Sequence, residues 1–469
     1  MDSYKPSRAI LELGDGFYDP VRPANFPRVT LRYRNDRAAA EVGLDIVSAE
    51  SWMRHFARFV PLPNTLSEPL ALRYHGHQFG IYNPDLGDGR GFLFAQMIDT
   101  RGRLMDLGTK GSGKTPWSRA GDGRLTLKGG VREVLATEML EALGVSTSRT
   151  FSLFETGEQL FRGDEPSPTR SSVLVRLSHS HVRFGTFQRY AFLGDTVRLE
   201  KLLDYAIRHY APALAPLKGG ARVTAFLEEI VKRAAALCAA WMSAGFVHGV
   251  LNTDNMTITG ESFDYGPYRF LPTYDPDFVA AYFDHAGLYA FGKQPRAVAF
   301  NLSMLAEALT PIAEGEILGP ALATFSQHFN AAFSARFFER IGRAPFGDER
   351  DDQLISASFA FLELGTVGFE QFFFDWYAGE PENDQARAYA HPAFESVRPL
   401  LQSAPLTRNR RHPYFNGTPC TLLIDEIEEI WRHIDEQDEW GPLYEKVARI
   451  REMGVALGGS SDTAKKTSI

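Results

Sequence analysis

The chain has 469 residues, 44% of them hydrophobic, which is enough to bury a large core in about two or three domains and excludes a disordered protein. With 58 acidic against 50 basic residues the formal net charge is −8, so no global basic field draws in nucleic acid. The two cysteines, Cys238 and Cys420, are too few for a disulfide scaffold, no run approaches the ~18 apolar residues of a membrane span, and Met1 to Pro6 lacks a signal-peptide core; a cytoplasmic protein that engages neither membrane nor nucleic acid is expected.

Residues 1–60 mix short apolar runs with Pro and Gly and are expected to pack on a core that follows. His75 and His77 would point to one face of a strand, and without a third ligand nearby they read as structural. The glycine-rich run Leu86 to Gly91 precedes two predicted strands, Phe92 to Ile98 and Arg103 to Thr109, joined by Asp99-Thr100-Arg101-Gly102. Gly87 and Gly89 would let backbone N–H groups approach a phosphate, and Arg90 would add charge. The second strand ends at Lys110, where a kinase N-lobe carries its phosphate-contacting lysine.

A helix is predicted from about Leu127 to Leu143, stopped by Gly144. It offers two glutamates as partners for Lys110: Glu138 projects from the apolar stripe and Glu133 from its flank, so amphipathicity slightly prefers Glu138. Gly108 to Thr115 also matches a P-loop, with Lys114 as its lysine and Thr421 to Glu426 as the accompanying acidic strand end. A P-loop opens a long helix, whereas Pro116 to Gly123 reads as loop, and Leu423, Ile427, Ile430 and Ile434 repeat at helical spacing. A P-loop NTPase is therefore the runner-up. Predicted strands Thr150 to Phe154 and Ser171 to Leu177 lead to Arg176 and Arg183, two candidates for bidentate phosphate binding.

Helical pattern begins after about Thr186. Phe226, Ile230, Ala234, Leu237 and Trp241 mark a buried helix, and Gly245 sits where a left-handed cap is wanted. The helix delivers the polar loop Phe246 to Asn255, after which Met256 to Thr259 and Ser262-Phe263 are predicted to form a hairpin around Gly260-Glu261. That hairpin would bring Asn255 beside Asp264, the first residue of Asp264-Tyr265-Gly266. Paired oxygen ligands of this kind grip Mg2+ on nucleotide phosphates in kinase-type enzymes. The position of the usual catalytic Asp, however, is occupied by Val250, which cannot accept a proton; Asp254 is the carboxylate nearby in the loop. From Ala286 the pattern is helix after helix through Gly454.

Taken together and in order, Gly-His-Gln-Phe at 76–79, Leu-Gly-Asp-Gly-Arg at 86–90, Lys110-Gly111-Ser112-Gly113, Gly-Asp-Gly-Arg at 121–124, Arg132-Glu133, Arg183 to Phe187, His248-Gly249, Asn252 to Met256 and Asp264 to Pro267 resemble the selenoprotein O family. The resemblance runs over roughly residues 70–310. It implies an α+β, two-lobed protein-kinase-like fold, long classed as a pseudokinase, with additional N-terminal segments and a helical C-terminal region. The expected division is 1–60, an N-lobe 61–190, a C-lobe with the catalytic loop 191–285, helices 286–455 and a disordered tail 456–469.

The implied activity is transfer of AMP from ATP to Ser, Thr or Tyr hydroxyls of protein substrates, with the nucleotide inverted relative to kinases. Carried over by motif, Asp254 would be the base, and Asn255 and Asp264 the ligands of Mg2+ or Mn2+. Gly87, Gly89, Arg90, Lys110, Asp122, Gly123, Arg176, Arg183 and Asp264 would hold the nucleotide, and the motif chooses Glu133 over Glu138. A nucleotide-binding scaffold without transfer activity is the other alternative. Family members commonly carry a selenocysteine or cysteine near the C-terminus; here no Cys follows Cys420, so a terminal thiol lock is expected to be absent.

Overall fold

The computed structural model describes residues 3–458 except 164, 316 and 382. An antiparallel sheet region and a helix-rich remainder share one chain, an α+β architecture. The main sheet runs in the order Tyr18–Pro20, Leu70–Leu72, Leu93–Ile98, Leu104–Lys110, Thr169–Ser178, Arg149–Leu160, Thr30–Arg34, with Lys5–Ser7 added to 93–98 and Leu125–Thr126 to 169–178. Three of its strands thus come from residues 1–60. The two strands predicted around Asp99 are present, and that turn forms because the Asp99 carboxylate accepts N–H bonds from Arg101 and Arg103 at 2.9 and 2.8 Å while Gly102 takes φ +77°.

Strand alternation splits the apolar residues between two cores. Leu93, Leu104, Leu153 and Leu174 face a cluster that runs from Ala9 to Met453 and includes the helix Leu127–Ala142. Phe94, Met105, Leu107, Phe154, Val173 and Val175 face the other side, against Trp52 and Phe56 of the helix Ala49–Phe56. Register then aims the cations: Gly108 pairs with Arg176 and Lys110 with Leu174, so Lys110, two residues from Gly108, shares a face with Arg176.

The helix Leu127–Ala142 opens on Thr126, whose Oγ1 accepts the Gly129 N–H at 3.1 Å, and Gly144 at φ +77° follows its end as predicted. The helix Gly219–Ser243 ends before Gly245 at φ +62°, and the strand Phe246–Val247 that follows pairs with Arg269–Phe270. Helices from Gln294 to Ala456 complete the chain; the last of them, Gly441–Ala456, packs on Leu127–Ala142. It extends to Ala456, one residue into the expected tail, and 459–469 lie outside the described residues.

Two expectations are corrected. Residues 256–263 form no strand ladder with each other: Thr257 bridges to Arg183 and Ser262 to Thr147, and the turn closes earlier, with the Gly260 N–H on the Thr257 carbonyl at 3.3 Å. The flanks found partners already fixed by the rest of the fold, which a two-residue hairpin cannot match. The P-loop pattern also fails. Lys114 is exposed in a loop after an antiparallel strand, and the next helix starts only at Leu127; Ile424–Gln437 is a helix burying Ile427, Ile430 and Ile434. Among the described residues no helix is long and apolar enough to cross a membrane.

Candidate functional site

A cavity of about 710 Å³ lies where the sheet meets the loop after Val247. The glycine-rich turn contributes Gly87, Gly89 and Arg90 to its wall. The strands contribute Lys110 and Arg176, the loop after the sheet Asp122 and Gly123, and the far side Arg183, Asp254 and Asp264. Glu133 and Asn255 do not line it; Glu133 reaches it through its pairing with Lys110, and Asn255 follows Asp254 in the chain.

Lys110 is buried and held between two carboxylates: its Nζ pairs with Glu133 and lies 2.7 Å from Asp264 Oδ1. Glu138, which amphipathicity preferred, is occupied elsewhere. It accepts two bonds from Arg451, each 2.8 Å, one from Arg37 at 3.1 Å and one from the Tyr33 hydroxyl. Arg176 reaches Asp264 at 3.3 Å while its guanidinium stacks 3.9 Å from the Phe263 ring. Arg183 donates to the Asp254 carbonyl at 3.0 Å and to Asp88 at 3.1 Å, and lies over both Tyr74 and Phe263.

These cations separate two carboxyl groups. Burial alone would raise Asp264, but Lys110, Arg176, Arg90 and Arg183 override it and hold the group well below its usual 3.8, so it is ionised at neutral pH. Burial pushes Asp254 up to about 6, against the opposing pull of Arg183 and its own backbone N–H, and the negative charge of Asp264 adds to the rise. One carboxylate is a fixed charge and the other exchanges protons near neutrality.

Asp254 Oδ1 and Asn255 Oδ1 are buried without a hydrogen-bond partner among the described residues. The Asn255 amide donates to the Val250 carbonyl at 2.9 Å, which fixes the side chain and leaves its oxygen free. A buried oxygen left unpaired costs free energy, and a hard divalent cation with oxygen ligands would satisfy it. Among the described residues no three His, Cys, Asp or Glu cluster as a metal cage. Asn255 Oδ1 and the carboxylate of Asp264, whose Oδ1 is held by Lys110 and Arg176, are oxygens of the kind Mg2+ binds.

The loop is held from several directions. Asn252 Oδ1 accepts the Phe79 N–H at 3.1 Å and the Tyr289 hydroxyl at 2.7 Å, Thr253 Oγ1 accepts the His77 N–H at 2.7 Å, and Asn301 donates to the Leu251 carbonyl at 2.8 Å. The rings of His75 and His77 bond Tyr82, Arg189 and Gln188, in agreement with their structural reading.

Sequence reasoning missed Trp117, Asp88 and Tyr74. Residues 111–123 form a loop closed by the Gly113 N–H on the Gly123 carbonyl at 3.1 Å, and it folds back so that Thr115 donates to the Asp88 carbonyl at 2.6 Å. Trp117 then covers Gly87: a Cβ there would lie 2.4 Å from its ring, and one at Gly89 2.9 Å from its carbonyl. Close packing by Trp117 is thus a reason for both glycines that no local pattern shows. Asp122, also on this loop, pairs with Arg162 at 2.9 Å. Asp88, half-buried within the Gly-Asp-Gly-Arg run, was the signal available for the Arg183 partner.

The family model for protein adenylyltransferase SelO matches residues 3–451. A protein nucleotidyltransferase YdiU of Gloeobacter violaceus is 45% identical over 467 residues, covering 96% of this chain and 95% of the relative. The protein of that name from Synechococcus elongatus is 48% identical over 487 residues, at 96% and 95%, and that from Chromobacterium violaceum 37% identical over 452 residues, at 92% and 93%.

Proposed function

From membership of the protein adenylyltransferase SelO family, to which this chain belongs, we infer that the cavity moves AMP from ATP to Ser, Thr or Tyr hydroxyls of protein substrates. The chain is a nucleotidyltransferase. The observation that carries the site assignment is geometric: Asp254, with its buried Oδ1 unpaired, lines one cavity with Asp264 and with Lys110, Arg176 and Arg183.

In the proposed reaction Asp254 accepts the proton of the acceptor hydroxyl as that oxygen attacks the α-phosphorus. The new O–P bond forms as the bond from the α-phosphorus to the bridging oxygen breaks, and pyrophosphate leaves. Lys110, Arg176 and Arg183 neutralise the phosphates and the departing pyrophosphate, with Glu133 orienting Lys110. Arg90, Gly87, Gly89, Asp122 and Gly123 bound the nucleotide on the remaining sides. Asn255 and Asp264 would hold Mg2+ or Mn2+, which when bound would supply further charge neutralisation.

The arrangement supports a two-lobed kinase-like reading, with residues 61–190 around the sheet, 191–285 around the loop, and 1–60 and 286–455 packed about them. Val250 in place of the usual base is what an inverted nucleotide would permit, because Asp254 then meets the acceptor from another direction.

Incubation with ATP labelled at the α- or the γ-phosphate tests this. Label from the α-position is expected on protein acceptors and none from the γ-position. Asp254→Asn should lose about 10²- to 10⁴-fold in transfer while nucleotide affinity stays within a few-fold. Transfer from the γ-position would indicate a kinase, and transfer of neither label a scaffold.

A further inference from the structure

We propose that the acceptor protein docks on an aromatic shelf formed by Phe79, Tyr282 and Phe283 beside the cavity, and that it presents an apolar side chain a few residues from the modified hydroxyl. The proposal rests on the reading of the cavity as the transfer site.

The segment 276–292 contains no strand and little helix, yet its backbone is fixed. The Asp284 carboxylate accepts the N–H groups of Leu288 and Tyr289, both at 2.8 Å, and the N–H groups of Phe291 and Gly292 bond the carbonyls of Phe278 and Pro276 at 2.9 and 2.7 Å. This fixed loop leaves Tyr282 73% and Phe283 42% exposed, with Val279 and Leu288 also exposed. Single exposed apolar residues need no explanation, but contiguous ones beside a cleft mark interaction surfaces.

Contact is continuous from the shelf to the reacting loop. Tyr282 and Phe283 have ring centroids 5.1 Å apart, Phe283 and Phe79 5.9 Å, and Phe79 and Tyr289 5.1 Å. The Phe79 N–H and the Tyr289 hydroxyl both end on Asn252 Oδ1, two residues before Asp254, and Gln78, next to Phe79, lines the cavity. Phe79 adopts φ +52°, a backbone region where glycine or asparagine is the usual occupant, in the turn between Gln78 and Ile81. The phenyl ring is therefore held where it meets Phe283 at a conformational cost.

A protein hydroxyl reaches Asp254 only if the acceptor chain lies against the surface around it, so this shelf is continuous with an interface the reaction requires. An extended acceptor advances about 3.3 Å per residue, which lets one segment hold its hydroxyl at Asp254 and a neighbouring side chain on the shelf. Aromatic groups on a fixed backbone lose little entropy on binding and serve as anchors. Their apolar faces select leucine, isoleucine, methionine or phenylalanine over an acidic side chain, which the negative ring faces disfavour.

The test uses the full chain, α-labelled ATP and two twelve-residue peptides, one with a single serine flanked by leucine and phenylalanine, the other with alanine at the flanking positions. An unfolded whole protein serves as a third acceptor. The double variant Tyr282→Ala, Phe283→Ala is expected to lower kcat/KM for the apolar peptide by about tenfold or more and to leave the alanine peptide, already poor, unchanged. Nucleotide Kd should stay within about twofold, and the single variant Tyr282→Phe, which keeps both rings, should retain transfer. Equal kcat/KM of wild type and variant on the apolar peptide would overturn the proposal. So would a variant that changes from dimer to monomer in sedimentation with transfer intact, since the shelf would then belong to a second copy. A wild-type chain that moves no α-label to any of the three acceptors would overturn the cavity reading itself, whereas loss confined to the apolar peptide bears on the shelf alone.

Discussion

Glu133 and Glu138 lie five positions apart on the helix Leu127–Ala142, and both are buried; neutralising each should break a different property. Glu138→Gln removes the charge that faces Arg451 and Arg37. Burial would raise this carboxyl, but Arg451, ahead of Arg37, keeps it below its usual value, so the native pair is ionised. Breaking a buried pair from one side costs about 3–5 kcal/mol, and because Arg37 retains Glu141 at 2.7 Å the lower figure, about 3 kcal/mol, applies. With a urea m-value of about 3 kcal/mol/M or more, the unfolding midpoint falls by up to about 1 M. Nucleotide affinity should not change. Glu133→Gln keeps shape and hydrogen-bonding capacity but leaves Lys110 with Asp264 as its ionic partner, drawing the ammonium away from the phosphates. About 1–2 kcal/mol of a charge-assisted bond is lost, less than at Glu138 because Asp264 still neutralises Lys110, so the urea midpoint falls by up to about 0.7 M, and the displaced ammonium weakens nucleotide Kd about 5- to 30-fold. Urea unfolding followed by tryptophan fluorescence and nucleotide titration calorimetry read both variants. A fall in affinity for Glu138→Gln, or a stability loss without an affinity loss for Glu133→Gln, would refute the division of roles.

Burial lifts Glu261 to about 7 against the His179 N–H, Arg149 and Arg103, so its contribution to stability is fully present below pH 4.5 and lost as pH rises through 7. Glu261→Gln should accordingly be more stable than wild type at pH 8, by up to about 3 kcal/mol, with the difference vanishing near pH 4.5; parallel denaturation curves at the two pH values check it. Gly87→Ala would set a Cβ 2.4 Å from the Trp117 ring, which is tied to Asp19 at 2.9 Å. Overpacking of this kind costs about 1–3 kcal/mol, to be seen as a shifted tryptophan emission and weaker nucleotide binding; an unchanged spectrum would contradict the contact. Cys238 and Cys420 are both buried and free, and burial pushes the Cys420 thiol up to about 11 and that of Cys238 further. Dithiothreitol should change transfer by less than about twofold, and a larger rise abolished by Cys420→Ser would overturn this.

Local pattern was enough for the elements that local forces build. The strand pair around Asp99, the helix that Thr126 opens and Gly144 ends, and the cap at Gly245 each depend on periodicity, one capping side chain or one left-handed glycine within a few residues. The failure of the P-loop was legible for the same reason, since Pro116 to Gly123 reads as loop, whereas Lys110, Asp254 and Asp264, which line one cavity, are too far apart in the chain for local pattern to join them. Partner choice was not legible. Amphipathicity favoured Glu138 because it sees only which face is apolar, while the charge that claims Glu138 arrives on Arg451, 313 residues away. Trp117 over Gly87, and the bridges from Thr257 to Arg183 and from Ser262 to Thr147 that displaced a local hairpin, likewise join segments far apart in the chain. A buried charge or an unpaired strand must be satisfied by whatever group the packed fold brings within reach, so its partner is decided by the tertiary structure.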